Sequence, residues 1–167
     1  MYKGLKLKIT ALILLTGALL ISGCAEKTQH AKSKFIKESK SRFKIEKTIE
    51  VINNSLTPKN YKLISTFDHE KEALKLKKML YPTKTLEFSN TKIETSLISC
   101  NPSMSLELPI RVAVYNELNG QTHITYTDPE YWSLKHNIKD SKCIKLIILL
   151  KQDLAEAVKQ VEVKSTK

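Results

Sequence analysis

The stretch that decides the fold spans residues 109–126 and reads PIRVAVYNELNGQTHITY. Segments rich in β-branched and aromatic residues flank Leu118-Asn119-Gly120, and an Asn-Gly pair supplies the positive φ angle that a tight turn requires. This pattern predicts a β-hairpin with strands Pro109–Asn116 and Gln121–Tyr126. Because the two strands of a hairpin run antiparallel, the hairpin also indicates what kind of sheet surrounds it.

Two amphipathic helices are predicted from apolar residues that recur every three or four positions. The first helix ends before Pro58, since proline cannot continue the hydrogen-bond ladder of a helix. Its apolar residues are Ile45, Ile49, Ile52 and Leu56. The second helix lies near the C-terminus. Its apolar stripe consists of Cys143, Ile147, Leu150, Leu154, Ala157 or Val158, and Val161.

Strands and a helix alternate between these two helices. More and less apolar side chains alternate over Tyr61–Phe67, which predicts a strand. Asp68 can cap the helix that follows, and Pro82 ends that helix. The residues of this helix predicted to face inward are Leu76, Met79 and Leu80. A short strand at Thr85–Phe88 follows, and then an irregular or briefly helical stretch runs through Pro102.

The order of these elements indicates the fold class. Asp128-Pro129 opens a turn or short helix that reaches Trp132. Mixed strands and helices around an antiparallel hairpin predict an α+β fold, in which a mostly antiparallel sheet is packed by helices. We assign this fold to a single domain over residues 43–164, which is a normal size for one domain.

The N-terminus has the pattern of a signal peptide. Three lysines precede an apolar run from Ile9 to Ile21, which is too short for a comfortable transmembrane helix. The tetrapeptide Ile21-Ser22-Gly23-Cys24 resembles a bacterial lipobox. That resemblance implies that residues 1–23 are a lipoprotein signal peptide and that Cys24 becomes the acylated first residue, which attaches the chain to a lipid bilayer. The alternatives are an uncleaved anchor, or an ordinary cleaved signal with an unrelated cysteine.

The residues after this cysteine are polar and basic. We predict that residues 24–42 comprise the lipidated cysteine and a flexible basic tether, because the stretch is rich in Lys, Ser, Gln and Thr. The predicted location is the cell envelope, with the domain lipid-anchored and facing the periplasm. Ala25 stands where an aspartate would retain an enteric lipoprotein at the inner membrane, which favours the outer membrane in a Gram-negative cell.

The formal net charge of +11 raises the question of nucleic-acid binding. Residues 1–24 and 25–47 carry net charges of +3 and +5, whereas residues 48–167 carry only +3. Capture of a phosphate backbone needs cations clustered on one face, and the nearly balanced body has no basic stripe interleaved with aromatic residues. We therefore predict no nucleic-acid partner.

The body of the chain resembles the domain-of-unknown-function family numbered 302, over about residues 42–137. The residues that carry the resemblance are Phe67-Asp68-His69, Pro82-Thr83, Leu86, Phe88, Asn90, Thr95, Leu97, Pro102, Leu106, Leu108-Pro109, Tyr115, Tyr126 and Asp128-Pro129. The resemblance implies an α+β fold with a mostly antiparallel sheet covered by helices, and a homodimer. It implies no activity. Ser89-Asn90-Thr91 and Glu94 depart from the family's pattern, which has Gly-Asn-Pro and a glycine at these places.

Five polar residues at family-like positions are candidates for a pocket. His69 follows a strand, and its imidazole could serve acid–base chemistry or bind a ligand if strand ends converge. The full set is His69, Asn90, Thr95, Tyr126 and Asp128. The alternative for each is a structural role, as a helix cap, a turn former or a hydrogen-bonding residue of the sheet.

Motifs for metals, cofactors and catalysis are lacking in the sequence. His30, His69, His123 and His136 are scattered, so no local pair has metal-ligand spacing, and a metal site would have to be assembled from distant residues. There is no Cys-x-x-Cys and no Gly-x-Ser-x-Gly, and Gly120 is the one glycine after residue 23, which excludes a glycine-rich phosphate loop. We predict no catalytic residues, no metal and no cofactor.

Two cysteines remain if Cys24 is acylated. Cys100 and Cys143 could form a disulfide, since an envelope compartment permits one, or they could stay reduced, with Cys143 as a small apolar residue of the last helix. The function predicted from the sequence is a non-enzymatic module that binds an envelope protein or a small ligand. The alternative is a redox- or metal-associated accessory protein, or an enzyme, that uses a pocket of His69, Tyr126 and Asp128.

Overall fold

The computed structural model of the chain describes residues 33–163. The strands in this range are β1 (Ile36–Lys40), β2 (Lys62–Asp68), β3 (Thr83–Ser89), β4 (Ile110–Asn116) and β5 (Thr122–Thr127). The α-helices are α1 (Ile45–Leu56), α2 (His69–Lys75), α3 (Thr91–Cys100), α4 (Trp132–Lys135) and α5 (Ser141–Lys159). None of these described helices is both long and apolar enough to cross a bilayer. The predicted signal peptide and Cys24 lie outside the described residues.

The predicted hairpin is confirmed as β4 and β5, in which Asn116 pairs with Thr122. In its loop, the Gly120 amide donates a hydrogen bond to the carbonyl of Glu117 at 2.9 Å, and the Glu117 amide donates to the carbonyl of Gln121 at 3.0 Å. Gly120 has a φ angle of 77°, and among the described residues no atom would crowd an added Cβ. The left-handed backbone conformation is therefore the reason for glycine at this position.

All five strands form one antiparallel sheet in the order β1-β5-β4-β3-β2. Helices α1 and α3 pack on α5, and α1 also contacts β4. The apolar side chains of the sheet and of these helices form one core. The predicted α+β fold, with an antiparallel sheet packed by helices, is confirmed.

The apolar stripes predicted for the two long helices lie in this core. Ile45, Ile52 and Leu56 of α1 are buried, and Ile49 is half-buried. Every residue of the C-terminal stripe is also buried, namely Cys143, Ile147, Leu150, Leu154, Ala157, Val158 and Val161. The spacing of three and four therefore located the two helices and the faces that they bury.

The structure corrects the C-terminal part of the predicted tether. Residues 36–40 form β1, which pairs with β5 so that Glu38 lies opposite Thr125. Four of its five residues are exposed, because an edge strand can be held by backbone hydrogen bonds along the hairpin. Such a strand needs no apolar pattern. The ordered domain therefore begins before residue 43.

The helix after Asp68 is shorter than predicted, and its apolar residues were wrongly assigned to the core. Helix α2 ends at Lys75, and Lys77 has a left-handed φ angle of 56°. Because the chain leaves the helix at this point, the following side chains do not continue its inward face. The exposed fractions are 71% for Leu76, 96% for Met79 and 47% for Leu80.

The stretch predicted as irregular or briefly helical contains α3, a helix of 10 residues. Asn90 caps its N-terminus, and Ile93 and Leu97, four positions apart, are its buried residues. Thr95 and Ser96, which have low helix propensity, lie between these two, and a pair of buried residues is too short an apolar pattern to fix the length of a helix.

The second face of the sheet carries the side chains that alternate with the core residues. Leu86, Val112 and Tyr126 are in register across three strands and are buried on the helix-covered face. Tyr115 and His123 form a register pair of the opposite parity, so they lie on the other face.

Candidate functional site

His69 is the first residue of α2 and lies at the end of β2. Its Nε2 is 2.9 Å from Oγ1 of Thr85, and its ring packs edge-on against Phe67 with the centroids 4.8 Å apart. The preceding residue, Asp68, caps the helix as predicted, since its Oδ1 accepts a hydrogen bond from the Lys71 amide at 3.0 Å. The imidazole is thus bonded on the face of the sheet opposite the core.

Asn90 and Thr95 both belong to α3. Asn90 is buried, its Oδ1 accepts a hydrogen bond from the Ile93 amide at 3.3 Å, and its Nδ2 donates to the carbonyl of Lys59 at 3.1 Å. Thr95 is exposed on the helix one turn further on. Asn90 therefore starts a helix and ties it to the loop before β2, which is a structural role.

Tyr126 and Asp128 lie at the end of β5, on the side of the core. Burial, followed by the negative charge of Asp128, raises the pKa of Tyr126 to about 12. The Oδ1 of Asp128 accepts a hydrogen bond from the Glu130 amide at 3.0 Å. Its Oδ2 lies 3.0 Å from Nζ of Lys37, and this contact raises the pKa of Lys37. Asp128 thus caps a 3-10 turn and holds β1 against β5.

The five predicted pocket residues are not brought together. Tyr126 and Asp128 are neighbours, whereas His69 lies on the opposite face of the sheet and is bonded to Thr85 on β3. The polar residues Asp68, Asn90 and Asp128, which lie where strands end, cap the helical turns that follow them. Of the five candidates, Asn90 and Asp128 are caps, which is the structural alternative given for them from the sequence.

A disulfide joins Cys100, the last residue of α3, to Cys143 in the first turn of α5. The two Cα atoms are 6.4 Å apart, and 43 residues separate the cysteines in the sequence. The bond links the C-terminus of one core helix to the N-terminus of another.

A second group of polar side chains is assembled on the face of the sheet opposite the core. Glu38 of β1, Glu117 at the start of the hairpin loop and His123 of β5 each offer a ligand atom, and these atoms all lie within 4.8 Å of one another. The Nδ1 of His123 is 2.9 Å from Oε1 of Glu38, and its Nε2 is 3.3 Å from Oε1 of Glu117. His123 is 3% exposed, whereas both carboxylates reach solvent. We refer to these three residues as the β5 cluster.

Tyr115 supports the β5 cluster from the neighbouring strand. Its hydroxyl donates a hydrogen bond to Oε1 of Glu38 at 3.0 Å, and its ring stacks on that of His123 with the centroids 5.4 Å apart. Burial and the hydrogen bond to Glu38 raise the pKa of Tyr115 to about 12. The Tyr115 hydroxyl therefore stays protonated at neutral pH and donates to Glu38.

Comparison with known families assigns the fold. The model of a domain of unknown function, DUF302, matches residues 36–161. The chain belongs to the DUF302 family. The crystal structure of an uncharacterized conserved DUF302 protein from Bacillus stearothermophilus superposes with a TM-score of 0.70 at 20% identity, covering 78% of this chain and 100% of that one. At this identity the likeness supports the shared fold.

Curated relatives of the chain are much longer than the part that matches. A fluoride-specific ion channel, FluC 1, of Brucella suis is 26% identical over 98 residues, which are 59% of this chain and 39% of the channel. The fluoride-specific ion channels FluC 1 of Brucella abortus and FluC 2 of Brucella melitensis are also 26% identical over 98 residues, which are 36% of each channel. Their printed activity belongs to those whole proteins, and this DUF302 chain aligns with well under half of each.

The departures from the DUF302 pattern are bonded to one another. The carboxylate of Glu94 accepts a hydrogen bond from the hydroxyl of Ser89 at 2.9 Å and from the amide of Asn90 at 3.1 Å. A side chain on the first turn of a helix thus satisfies groups at its N-terminus, as in a capping box. In this DUF302 domain the Glu94 carboxylate thus holds the junction between β3 and α3.

The β5 cluster was missed by the sequence reasoning. The register of the hairpin was a usable signal, because the tight turn at 118–120 places Tyr115 opposite His123, with Glu117 two residues beyond Tyr115. Glu38 could not be found in this way, since β1 carries no apolar alternation and was assigned to the tether.

Proposed function

We propose that this DUF302 protein is an envelope lipoprotein, anchored to a bilayer through acylated Cys24, whose domain is a non-enzymatic module that binds a partner protein. The lysines and apolar run of the leader and the resemblance of Ile21-Ser22-Gly23-Cys24 to a lipobox support the anchor. On this proposal the domain faces the periplasm, at the outer membrane of a Gram-negative cell. Because β1 begins at Ile36, the residues in between would keep the domain within about 40 Å of the lipid.

Acylation is tested by expressing the full chain in a bacterium fed with labelled palmitate. We expect label in the wild type, an intact mass that lacks residues 1–23, and loss of both in Cys24→Ser. Cys100→Ser is the matched control and should keep the label. A chain that retains its leader, or an unmodified Cys24 on a freely diffusing product, contradicts the anchor.

The exposed segment after α2 is the observation that supports partner binding. Leu76, Met79, Leu80 and Tyr81 are all about half exposed or more, although three of these four are strongly apolar. Contiguous apolar side chains on the surface of a soluble domain usually mark an interaction site. We call the four residues Leu76, Met79, Leu80 and Tyr81 the apolar segment.

The charges around the apolar segment indicate the chemistry of the partner. Lys75, Lys77 and Lys78 are exposed beside it, and Lys75 is paired with Glu72. Two copies of such a surface would bring lysines together, which disfavours self-association through it. An apolar surface rimmed by carboxylates complements the segment, so the proposed partner is another envelope protein with that character.

The partner is tested by photo-crosslinking in living cells. A photoreactive phenylalanine analogue replaces Met79 in the full chain, and the same analogue at Leu134, which is 82% exposed elsewhere on the surface, is the matched control. We expect one discrete adduct from position 79, weakened by Lys77→Glu with Lys78→Glu. The crosslinked peptide of the partner should contain Asp or Glu. Equal labelling from both positions, or adducts only to lipid or to a second copy, would refute this partner.

A further inference from the structure

One nitrogen of the buried His123 has no hydrogen-bond partner. Its Nε2 is inaccessible to solvent and lies 3.3 Å from Oε1 of Glu117, but outside hydrogen-bonding geometry. Buried ring nitrogens are normally paired, because an unpaired one forfeits its hydration without compensation. The orphaned nitrogen therefore requires an explanation in terms of what it faces.

The other ring nitrogen determines which tautomer the imidazole adopts. The Nδ1 of His123 is 2.9 Å from Oε1 of Glu38, so the proton belongs on Nδ1, from which it is donated to the carboxylate. The lone pair is then on Nε2, the ring nitrogen that lies 3.3 Å from Oε1 of Glu117. A histidine that donates one N–H to a carboxylate and presents the other nitrogen is the usual arrangement of a metal ligand.

The spacing of the two presented atoms fits a metal ion. Zinc binds histidine nitrogen at about 2.0–2.1 Å and carboxylate oxygen at about 2.0–2.2 Å, which places two tetrahedral ligands roughly 3.3–3.5 Å apart. Nε2 of His123 and Oε1 of Glu117 are 3.3 Å apart. Glu117 lies on the hairpin loop with its side chain 45% exposed, so an ion could enter from solvent on this side.

We propose that His123 and Glu117 bind a divalent transition-metal cation of the zinc class, with water completing its coordination. Glu38 is a positioning residue that orients the imidazole, and the Tyr115 hydroxyl holds Glu38 in turn. A ligand set of imidazole and carboxylate suits zinc and its neighbours, whereas calcium and magnesium prefer oxygen ligands alone. The site goes beyond partner binding at the apolar segment, since it lies on different elements.

The test measures Zn²⁺ affinity of the full chain, purified in detergent without a polyhistidine tag, by competition with a fluorescent chelator. We expect Glu117→Gln to weaken binding at least ten-fold and His123→Asn to abolish it. Glu38→Gln should weaken binding by about ten- to hundred-fold, as is typical of outer-shell partners. The matched controls are Glu87→Gln and His69→Asn, a carboxylate and an imidazole elsewhere on the same face, and these should bind as the wild type does.

Two further measurements test the metal site if His123→Asn fails to fold. Glu117 is exposed on a loop, so Glu117→Gln is expected to fold, and urea unfolding verifies this. Co²⁺ bound to the wild type should give the visible absorption of a tetrahedral or five-coordinate site, and Glu117→Gln should lose it. The proposal is overturned if the wild type takes up no Zn²⁺, if Glu117→Gln binds Zn²⁺ as tightly as the wild type, or if the controls lose affinity to the same extent.

Discussion

The disulfide between Cys100 and Cys143 should be a major contributor to the stability of the domain. The two cysteines are 43 residues apart in the sequence, so the bond closes a loop of about that length. In the chain-entropy treatment, closing a loop of this length stabilises the folded state by about 4 kcal/mol at 25 °C, and measured values are typically 2–4 kcal/mol. The cysteines end α3 and begin α5, so reduction removes the covalent link between two helices of the core.

Urea unfolding of the full chain, with and without reductant, measures this contribution. Trp132 is the one tryptophan of the chain and is buried, so its fluorescence reports unfolding of the domain. With a urea m-value of about 2 kcal/mol/M, a loss of 2–4 kcal/mol lowers the midpoint by roughly 1–2 M. The double variant Cys100→Ala with Cys143→Ala should unfold at the reduced midpoint and be insensitive to reductant.

Alkylation of the denatured, unreduced protein, followed by peptide mass analysis, shows whether Cys100 and Cys143 form a disulfide. We expect the peptides of Cys100 and Cys143 to appear joined and unalkylated. Two alkylated peptides from mature protein would refute the bond, and an unchanged midpoint on complete reduction would refute the magnitude.

Three further changes test the core, a helix cap and a buried carboxylate, each by urea unfolding. Leu97→Ala should cost about 2–5 kcal/mol because the side chain is fully buried, and Asn90→Ala should cost roughly 0.5–2 kcal/mol because it removes a cap. Burial opposes the charge of Glu107, but hydrogen bonds from Lys135 and His136 outweigh it and hold its pKa below the ordinary 4.5. Stability from this carboxylate is therefore present above that pH and is lost as the pH falls. Glu107→Gln should therefore lower the free energy of unfolding at pH 7, and this loss should become smaller below about pH 4.5.

The parts of the fold that could be predicted are those whose burial leaves a period in the sequence. The hairpin around Gly120 and the stripe of α5 were both readable, because turn chemistry and apolar spacing are local properties. Strand β1 was not readable, since it joins the sheet through its backbone and exposes most of its side chains. The end of α2 was misplaced because Leu76 and Met79 are apolar and yet exposed, and apolar character alone cannot distinguish a core from an interaction surface.

The candidate site depended on long-range register, which the sequence indicates only in part. Glu38 and His123 are 85 residues apart and meet because β1 pairs with β5. Glu117 joins them because of the tight turn at 118–120.

Three of the polar residues that carry the resemblance have a structural explanation, which is that they cap helical turns. Asp68, Asn90 and Asp128 each accept a hydrogen bond from a backbone amide two or three residues ahead, and Asn101 and Asp140 do the same at two other junctions. The first amides of a helix lack partners within it, and a short polar side chain at the junction supplies one. A pattern of such residues therefore recurs wherever the same strands are followed by the same helices. It identifies the fold without identifying a ligand, and chemistry specific to this protein should be sought away from the caps, at His123 and along the apolar segment.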